Sequence, residues 1–441
     1  MLKRIKITGY KSLVDVEVAL QPLTVLFGPN AAGKSNFLDA LQLLSRMGTC
    51  RTLKEAFEPP YRGKPLESFT FGPDGIQGLL KQEQTSFTME ADVELSPSVV
   101  QAVNRQIGEL RRSTVPDGSK ASPGGNGLSF VRERDLRYRI QVEILPGSGI
   151  LRVADEYLAA LNAQGQPTGK RRPFLERMGQ RLHLRMEGQA HPSYHERFLD
   201  HTILSLPLYP PHYPHLVAVR QELASWLFFY FEPRERMRAP NPVKEVRHIG
   251  LMGEELAAFL NTLRTLNERQ FQAVEKSLRL LVPSITGIDV AVNNLGEVEL
   301  RLREGDKLMP ARIVSEGTLR VLGLLALGGA KEPPAPLGFE EPENGIHPGR
   351  VELVAEYLKT QAAQGDSQLI VTTHSPLLLD MLPQPSLFVC RKRDCQTSIE
   401  PYPQHAELFR KHDIREALDD EDRALPSALP SARVVRGDFD A

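Results

Sequence analysis

The sequence predicts an α/β protein, a mixed sheet flanked by helices, and three observations carry that prediction. Residues Gly28-Pro29-Asn30-Ala31-Ala32-Gly33-Lys34-Ser35 fill every fixed position of the G-x-x-x-x-G-K-[ST] phosphate loop. The apolar run Leu23–Phe27 precedes this loop, and Phe37, Leu38, Leu41 and Leu44 follow it at helical spacing, so it joins strand to helix. Far along the chain, 336–339 and 368–373 are short apolar strands that each run into a polar turn.

The loop carries its own chemistry. Its glycines, Gly28 and Gly33, let successive N–H groups turn inward on a phosphate at a helix N-terminus. Lys34 adds a charge toward the β and γ phosphates, the Ser35 hydroxyl can ligate Mg2+, and Asn36 follows at the start of the helix. The expected ligand is a nucleoside triphosphate.

With 441 residues, 41% apolar and 25% charged, the chain has the composition of a soluble globular protein with room for two or three packed lobes. Three cysteines, Cys50, Cys390 and Cys395, are too few and too unevenly placed for a disulfide framework and read as reduced structural thiols. The first residues lack the apolar stretch of a signal peptide, and nowhere do about twenty uncharged apolar residues run together. A cytoplasmic protein without a membrane anchor is the expectation. A net charge of −1 creates no global field toward nucleic acid, so any such contact is local. Residues 101–190 are the candidate, with fifteen Lys and Arg against nine Asp and Glu. Their first reading is a solvated face, with phosphate contact as the alternative.

In chain order, Ile5 and Ile7, then Val14, Val16 and Val18, alternate with polar residues as half-exposed antiparallel strands do. After the phosphate loop a helix runs to about Met47. An alternating strand is expected at 88–95, a helix from Ser96 to about Arg112, and a flexible surface loop over 113–127. Strands follow at 136–145, 149–153 and 181–186, with a flexible break at 163–172. The prolines of 209–215 make an ordered loop of a stretch whose two histidines could suggest a metal. A helix or strand is expected within 216–231, one helix over 254–281, and a hairpin of 288–292 and 298–303 turning through 293–296. No heptad repeat is sustained, so a long coiled coil is not expected. The domains read as 1–99, the first half of a nucleotide-binding head; 100–232, an insertion or lid; 233–310, a helical and β-hairpin lobe; 311–400, the second half of the head; and 401–441, a tail.

Three later stretches fit the second half of a nucleotide site. Ser315-Glu316-Gly317-Thr318 opens a helix over 319–327, where a serine, a glycine and free N–H groups form a second anion cradle. Glu340 and Glu341 end a buried strand, where adjacent carboxylates suit a cation and an attacking water; Glu340 is assigned to the metal and Glu341 to the water. His374 ends the 368–373 strand, placed to meet a γ-phosphate.

These four stretches, in this order, resemble the ATP-binding-cassette ATPases of the RecF and SMC type, and more closely the stand-alone and OLD-nuclease-like ATPases of prokaryotes, many of them in anti-phage defence. The similarity also runs through Gly9-Tyr10-Lys11-Ser12 and hardly covers 100–230. The resemblance implies an ABC-type ATPase head with an antiparallel β subdomain and a helical/β insertion. It makes Ser315–Thr318 the signature, Glu340 and Glu341 the Walker B carboxylates, 344–347 the D-loop and His374 the switch histidine. The Q-loop glutamine stays open among Gln77, Gln82 and Gln84. Only 67 residues follow His374, and Asp419-Asp420-Glu421-Asp422 lies in a polar stretch, so no Toprim nuclease domain is expected.

In that family the signature contacts the γ-phosphate held by another copy, which implies a homodimer or higher oligomer clamping ATP and Mg2+. The expected function is a slow ATPase that senses or remodels nucleic acid, double-stranded DNA among the candidates, in phage defence or DNA maintenance beside a separately encoded effector. The alternative is an ATP-dependent assembly scaffold with negligible turnover. A transporter ATPase fits poorly: Lys34 and Ser315 lie 281 residues apart, against about a hundred in transporters.

Overall fold

The computed structural model describes residues 1–114, 130–169, 171–187, 191–328, 336–365 and 367–402. Most of the loop expected over 113–127, Lys170, the acidic run 419–422 and all but the first two residues of the 401–441 tail lie outside them.

The strands are β1 (Leu2–Tyr10), β2 (Leu13–Ala19), β3 (Leu23–Phe27), β4 (Thr85–Glu94), β5 (Asp135–Leu145), β6 (Ile150–Ala160), β7 (Leu175–Met178), β8 (Arg181–Arg185), β9 (Pro192–Glu196), β10 (Leu227–Phe229), β11 (Asn241–Pro242), β12 (Ile285–Val292), β13 (Glu297–Glu304), β14 (Lys307–Pro310), β15 (Leu337–Glu340), β16 (Leu369–Thr373), β17 (Leu387–Arg393) and β18 (Gln396–Pro401). The chain divides into two units. The first is 1–20, 36–226 and 394–397; the second is 21–35, 227–393 and 398 onward.

The first unit is built on an antiparallel sheet of order β2-β1-β4-β5-β6-β7-β8-β9. Alternation sends Ile5, Ile7, Met89, Ala91, Tyr138 and Ile140 into the core, each 1% exposed or less. The other face is an ion-pair lattice. Arg4, Asp92 and Arg137 are direct cross-strand neighbours on β1, β4 and β5. Arg137 Nε lies 2.6 Å from Asp92 Oδ1, and Arg4 Nη1 lies 2.8 Å from Glu90 Oε1. Opposite charges across a register position stabilise a sheet by about 0.2–1 kcal/mol a pair.

Two buried acids are satisfied in this unit. Glu156 is fully buried and accepts the Ile203 and Leu204 N–H groups at 2.6 and 3.0 Å and the Tyr138 hydroxyl at 3.0 Å. Burial lifts its carboxyl to about 7 against those bonds. Glu187 Oε1 sits 2.6 Å from His215 Nδ1, while His215 Nε2 accepts the N–H groups of Arg132 and Glu133, both at 3.1 Å. Both ring nitrogens of His215 are engaged, and the residue lies in the helix Pro214–Ala224, whereas sequence reading makes 209–215 an ordered loop throughout.

The second unit has a six-stranded sheet, β10-β15-β16-β3-β17-β18, in which β10, β15, β16, β3 and β17 run parallel. All residues of β3 and β16 are buried, which explains their unbroken apolar or β-branched runs. A small antiparallel sheet, β11-β13-β12 with β14 beside β13, contains the expected hairpin. The helix expected over 254–281 is two helices, Leu256–Leu266 and Glu268–Leu281. Asn267 breaks it: its side chain accepts the Gln270 N–H and caps the second helix. The helix Val351–Ala363 and strands β17 and β18 complete the unit and are structure to which sequence reading gave no element. Among the described residues no helix is long and apolar enough to cross a membrane.

Candidate functional site: a phosphate loop at the ends of parallel strands

In the second unit three parallel strands end side by side. Phe27 is paired with Thr373, Leu26 with Thr372, and Thr372 with Glu340. The phosphate loop, the 340–347 turn and His374 therefore leave the sheet at one carboxyl edge, where open parallel sheets place their ligands.

Backbone geometry shapes the loop. Gly28 has φ +149°, and a Cβ there would stand 2.1 Å from the Cys390 carbonyl oxygen on β17. Glycine is what lets the loop leave β3. Gly33, at φ +101°, and Ala31, at +64°, complete the turn into the helix Lys34–Thr49. Asn30 and Ser35 are exposed, whereas Lys34 is buried and its ammonium donates to the carbonyls of Gly28 at 2.7 Å and Pro29 at 2.9 Å. Burial lowers the Lys34 pKa, and the nearby carboxylates of Glu341, Glu340 and Glu343 pull the other way. The Cys390 thiol is buried and pushed up to about 12, that of an inert thiol. Asn36, in the first unit, donates to Ser12 Oγ at 2.8 Å within the Gly9–Ser12 stretch.

Glu341 adopts φ +49°, an uncommon backbone for a non-glycine residue, with its N–H donating to Thr372 O at 2.9 Å. That turn sets its Oε1 2.9 Å from His374 Nδ1. Glu340, half-buried, is the last residue of β15. Among the described residues no three His, Cys, Asp or Glu side chains converge as a metal cage. A hydroxyl at Ser35 and a carboxylate at Glu340 are hard oxygen donors of the number that suits Mg2+, which completes its shell with phosphate and water.

Sequence reading missed Glu343. It is 7% exposed, its Oε1 accepts the Thr373 hydroxyl, and its Oε2 is sealed from solvent with no hydrogen-bond partner. Burial raises its carboxyl above the usual range. The available signal was a third acid within four residues of a buried strand end.

Ser315 caps the helix Glu316–Leu327, its Oγ accepting the Thr318 N–H at 3.2 Å. Gly317 lies against the 344–347 turn so tightly that a Cβ would stand 2.1 Å from the Gly345 carbonyl oxygen. Ser315 and Gly317 line a cleft of about 660 Å3 with Leu281, Gly345, His347 and Arg350 among its walls. No residue of the phosphate loop lines that cleft. The structure thus groups Lys34, Glu340, Glu341 and His374, while Ser315 and Gly317 line a cleft on the other side of the 344–347 turn's Gly345 contact.

Among the described residues, six arginines of the basic segment are ion-paired. Arg134 pairs with Glu94, Arg139 with Asp155, Arg152 with Glu143, Arg171 with Glu187 and Arg185 with Glu176, besides Arg137 with Asp92. Gln77, Gln82 and Gln84 are all exposed.

Fold and loop define an α/β protein of the phosphate-loop nucleotide-binding class. Residues 1–96 match the family described as "AAA ATPase domain", and residues 189–380 match "AAA domain, putative AbiEii toxin, Type IV TA system". An OLD nuclease of Thermus scotoductus is 43% identical over 44 residues, 10% of this chain and 8% of that protein. The match spans a small part of the relative's length. Among solved structures, an SMC head bound to the C-terminal winged-helix domain of ScpA is similar at TM-score 0.48 and 12% identity over 92% of this chain and 99% of that one. The SMC head domain from Thermotoga maritima is similar at TM-score 0.40 and 14% identity over 91% and 99%. Two stretches of this chain thus match AAA-type ATPase domain families, in keeping with the phosphate loop that the first of them contains.

Proposed function

We propose that the chain binds and hydrolyses ATP, closes as a dimer around it, and couples that cycle to nucleic acid in phage defence or DNA maintenance, with a separately encoded effector. The observation that carries the hydrolytic part is Glu341: held at a strand end by an unusual turn, 2.9 Å from His374 and beside Lys34. The residues divide the work. The amides of 28–35 and the Lys34 ammonium hold the phosphates, with the exposed Asn30 within the loop. Glu341 takes the proton of the attacking water, and His374 orients Glu341 and meets the γ-phosphate. General-base assistance of this kind contributes about 10²–10⁴ in rate. Ser35 and Glu340 would hold Mg2+. When bound, the ion neutralises charge on the β and γ phosphates.

The dimer reading is supported by the lining of the Ser315 cleft. Ser315 and Gly317 form an anion-binding helix start whose cleft includes no residue of the phosphate loop, and on this reading a second copy supplies the phosphate they meet. Support for nucleic acid comes from the relative named as a nuclease, and support for defence from the matched family's description as a toxin. The six ion-paired arginines between 134 and 185 are already matched by carboxylates, which weakens them as phosphate contacts.

The test is ATP turnover of the wild type and Glu341→Gln, with and without double-stranded DNA, with mass measured in the same buffers. DNA-stimulated turnover that the substitution abolishes, together with an ATP-trapped dimer, is expected. A monomer in ATP for both proteins refutes the clamp, and an ATP-bound oligomer without turnover establishes the scaffold instead.

A further inference from the structure

The turns that carry the proposed base and the proposed switch histidine are tied together twice. One tie is direct, between Glu341 Oε1 and His374 Nδ1 at 2.9 Å. The other is buried beneath it. The Thr373 hydroxyl donates to Glu343 Oε1 and accepts the Ser375 N–H at 3.0 Å, so one hydroxyl connects Glu343 to the residues on both sides of His374.

We propose that Glu343 is a positioning residue: through the Thr373 hydroxyl it holds the turn that carries His374, and so keeps the imidazole against Glu341. The inference rests on the ATPase reading above and adds a third glutamate to its machinery. His374 is itself exposed and its ring is held by the hydrogen bond to Glu341, so the direct tie leaves its turn free to swing. The buried tie removes that freedom by fixing Thr373 and Ser375. Packing alone would not select a carboxylate here. A carboxylate sealed from water loses its hydration, and Glu343 regains only one hydrogen bond while Oε2 receives none. An apolar residue of the same size would fill the space without that penalty but would leave Thr373 without its acceptor. The turn between the two acids is rigid, with Asn344 N–H on Glu341 O at 2.9 Å and Ile346 N–H on Glu343 O at 3.0 Å, so a fixed Glu343 also fixes Glu341.

The experiment compares Glu343→Ala, Thr373→Val, the double variant and Glu343→Gln, each checked by thermal unfolding, for ATP affinity, turnover and the ¹⁵N resonances of the His374 ring. Both single variants are expected to lower kcat about tenfold, the value of one hydrogen bond at the transition state, with ATP affinity within about twofold. The double variant is expected to be no worse than either single one, since both cut the same tie. Glu343→Gln keeps an acceptor for Thr373 and is expected to recover most of what Glu343→Ala loses. The His374 Nδ1 resonance should move in the Ala and Val variants and stay near its wild-type position in the Gln variant. Additive losses, full turnover in Glu343→Ala, or an unmoved His374 resonance in both Ala and Val variants would overturn the proposal. The resonances need no turnover: a wild type that hydrolyses nothing refutes the ATPase reading while the ring spectrum still decides the role of Glu343. Should Glu343→Ala fail to fold, Thr373→Val and Glu343→Gln carry the same comparison.

Discussion

Gly317→Ala puts a methyl where the structure has no room. The added carbon would stand 2.1 Å from the Gly345 carbonyl oxygen and 2.7 Å from its carbonyl carbon, both backbone atoms. Ordinary contact needs more than an ångström of further separation, and neither partner is a side chain that can rotate away. Gly345 is itself at φ +82°, so the turn is already in a backbone region few residues adopt. The start of the helix Glu316–Leu327 must therefore shift away from the 344–347 turn. Overpacking of this kind costs about 1–3 kcal/mol, and in a unit of this size each kcal/mol lowers Tm by about 2–4 °C. The same shift carries Ser315 about an ångström from its place, a displacement worth roughly 10²-fold where a phosphate must be met in register. The assay is a thermal melt, a fluorescent-nucleotide titration and steady-state turnover on one preparation. A Tm lowered by several degrees, unchanged nucleotide affinity and turnover reduced about a hundredfold are expected, because Gly317 lies outside the phosphate loop. A variant with wild-type Tm and turnover would refute the close approach and the role assigned to the signature together.

Three further outcomes test other parts of the structure. Lys34→Ala removes the cation that the loop curls around, and nucleotide binding should be lost in the same titration; unchanged affinity would contradict the phosphate-loop assignment. Gly28→Ala meets the Cys390 carbonyl at 2.1 Å, so a lowered Tm should accompany weaker nucleotide binding, and a stable, fully binding variant would contradict the junction of β3 and β17. Glu156, lifted to about 7 from an ordinary value of 4.5, is harder to ionise folded than unfolded. Its contribution is fully present below pH 4.5 and is lost as pH rises through 7, by about 3 kcal/mol in all. Denaturant unfolding from pH 5 to 8 should show that decline, and a Glu156 whose carbonyl ¹³C resonance titrates near 4.5 would refute it.

Much of the fold was legible because it is set by local pattern. Alternation marked β1, β2, β4 and β5, helical spacing marked Lys34–Thr49, and the 288–303 hairpin carried its turn in Asn293–Gly296. Where apolar spacing continued across a cap, as at Asn267, the pattern hid a break that a hydrogen bond from one side chain creates. Lys34 was legible in its phosphate loop and Glu340, Glu341 and His374 as residues at the ends of apolar strands, yet their grouping was not, since the pairing of β16 with β3 joins positions more than three hundred residues apart.

By itself the sequence determined the phosphate loop, the order of the later motifs and the absence of a sustained heptad, because each is fixed by residues within one turn or one strand of one another. Tertiary structure alone decided that Arg134, Arg137 and Arg139 face carboxylates, that Gly317 must be glycine to lie on Gly345, and that Glu343 is buried beneath Thr373. Those are properties of approach between distant segments, where hydration lost on burial and the space left for a single methyl are set by the neighbour, and no local pattern encodes the neighbour.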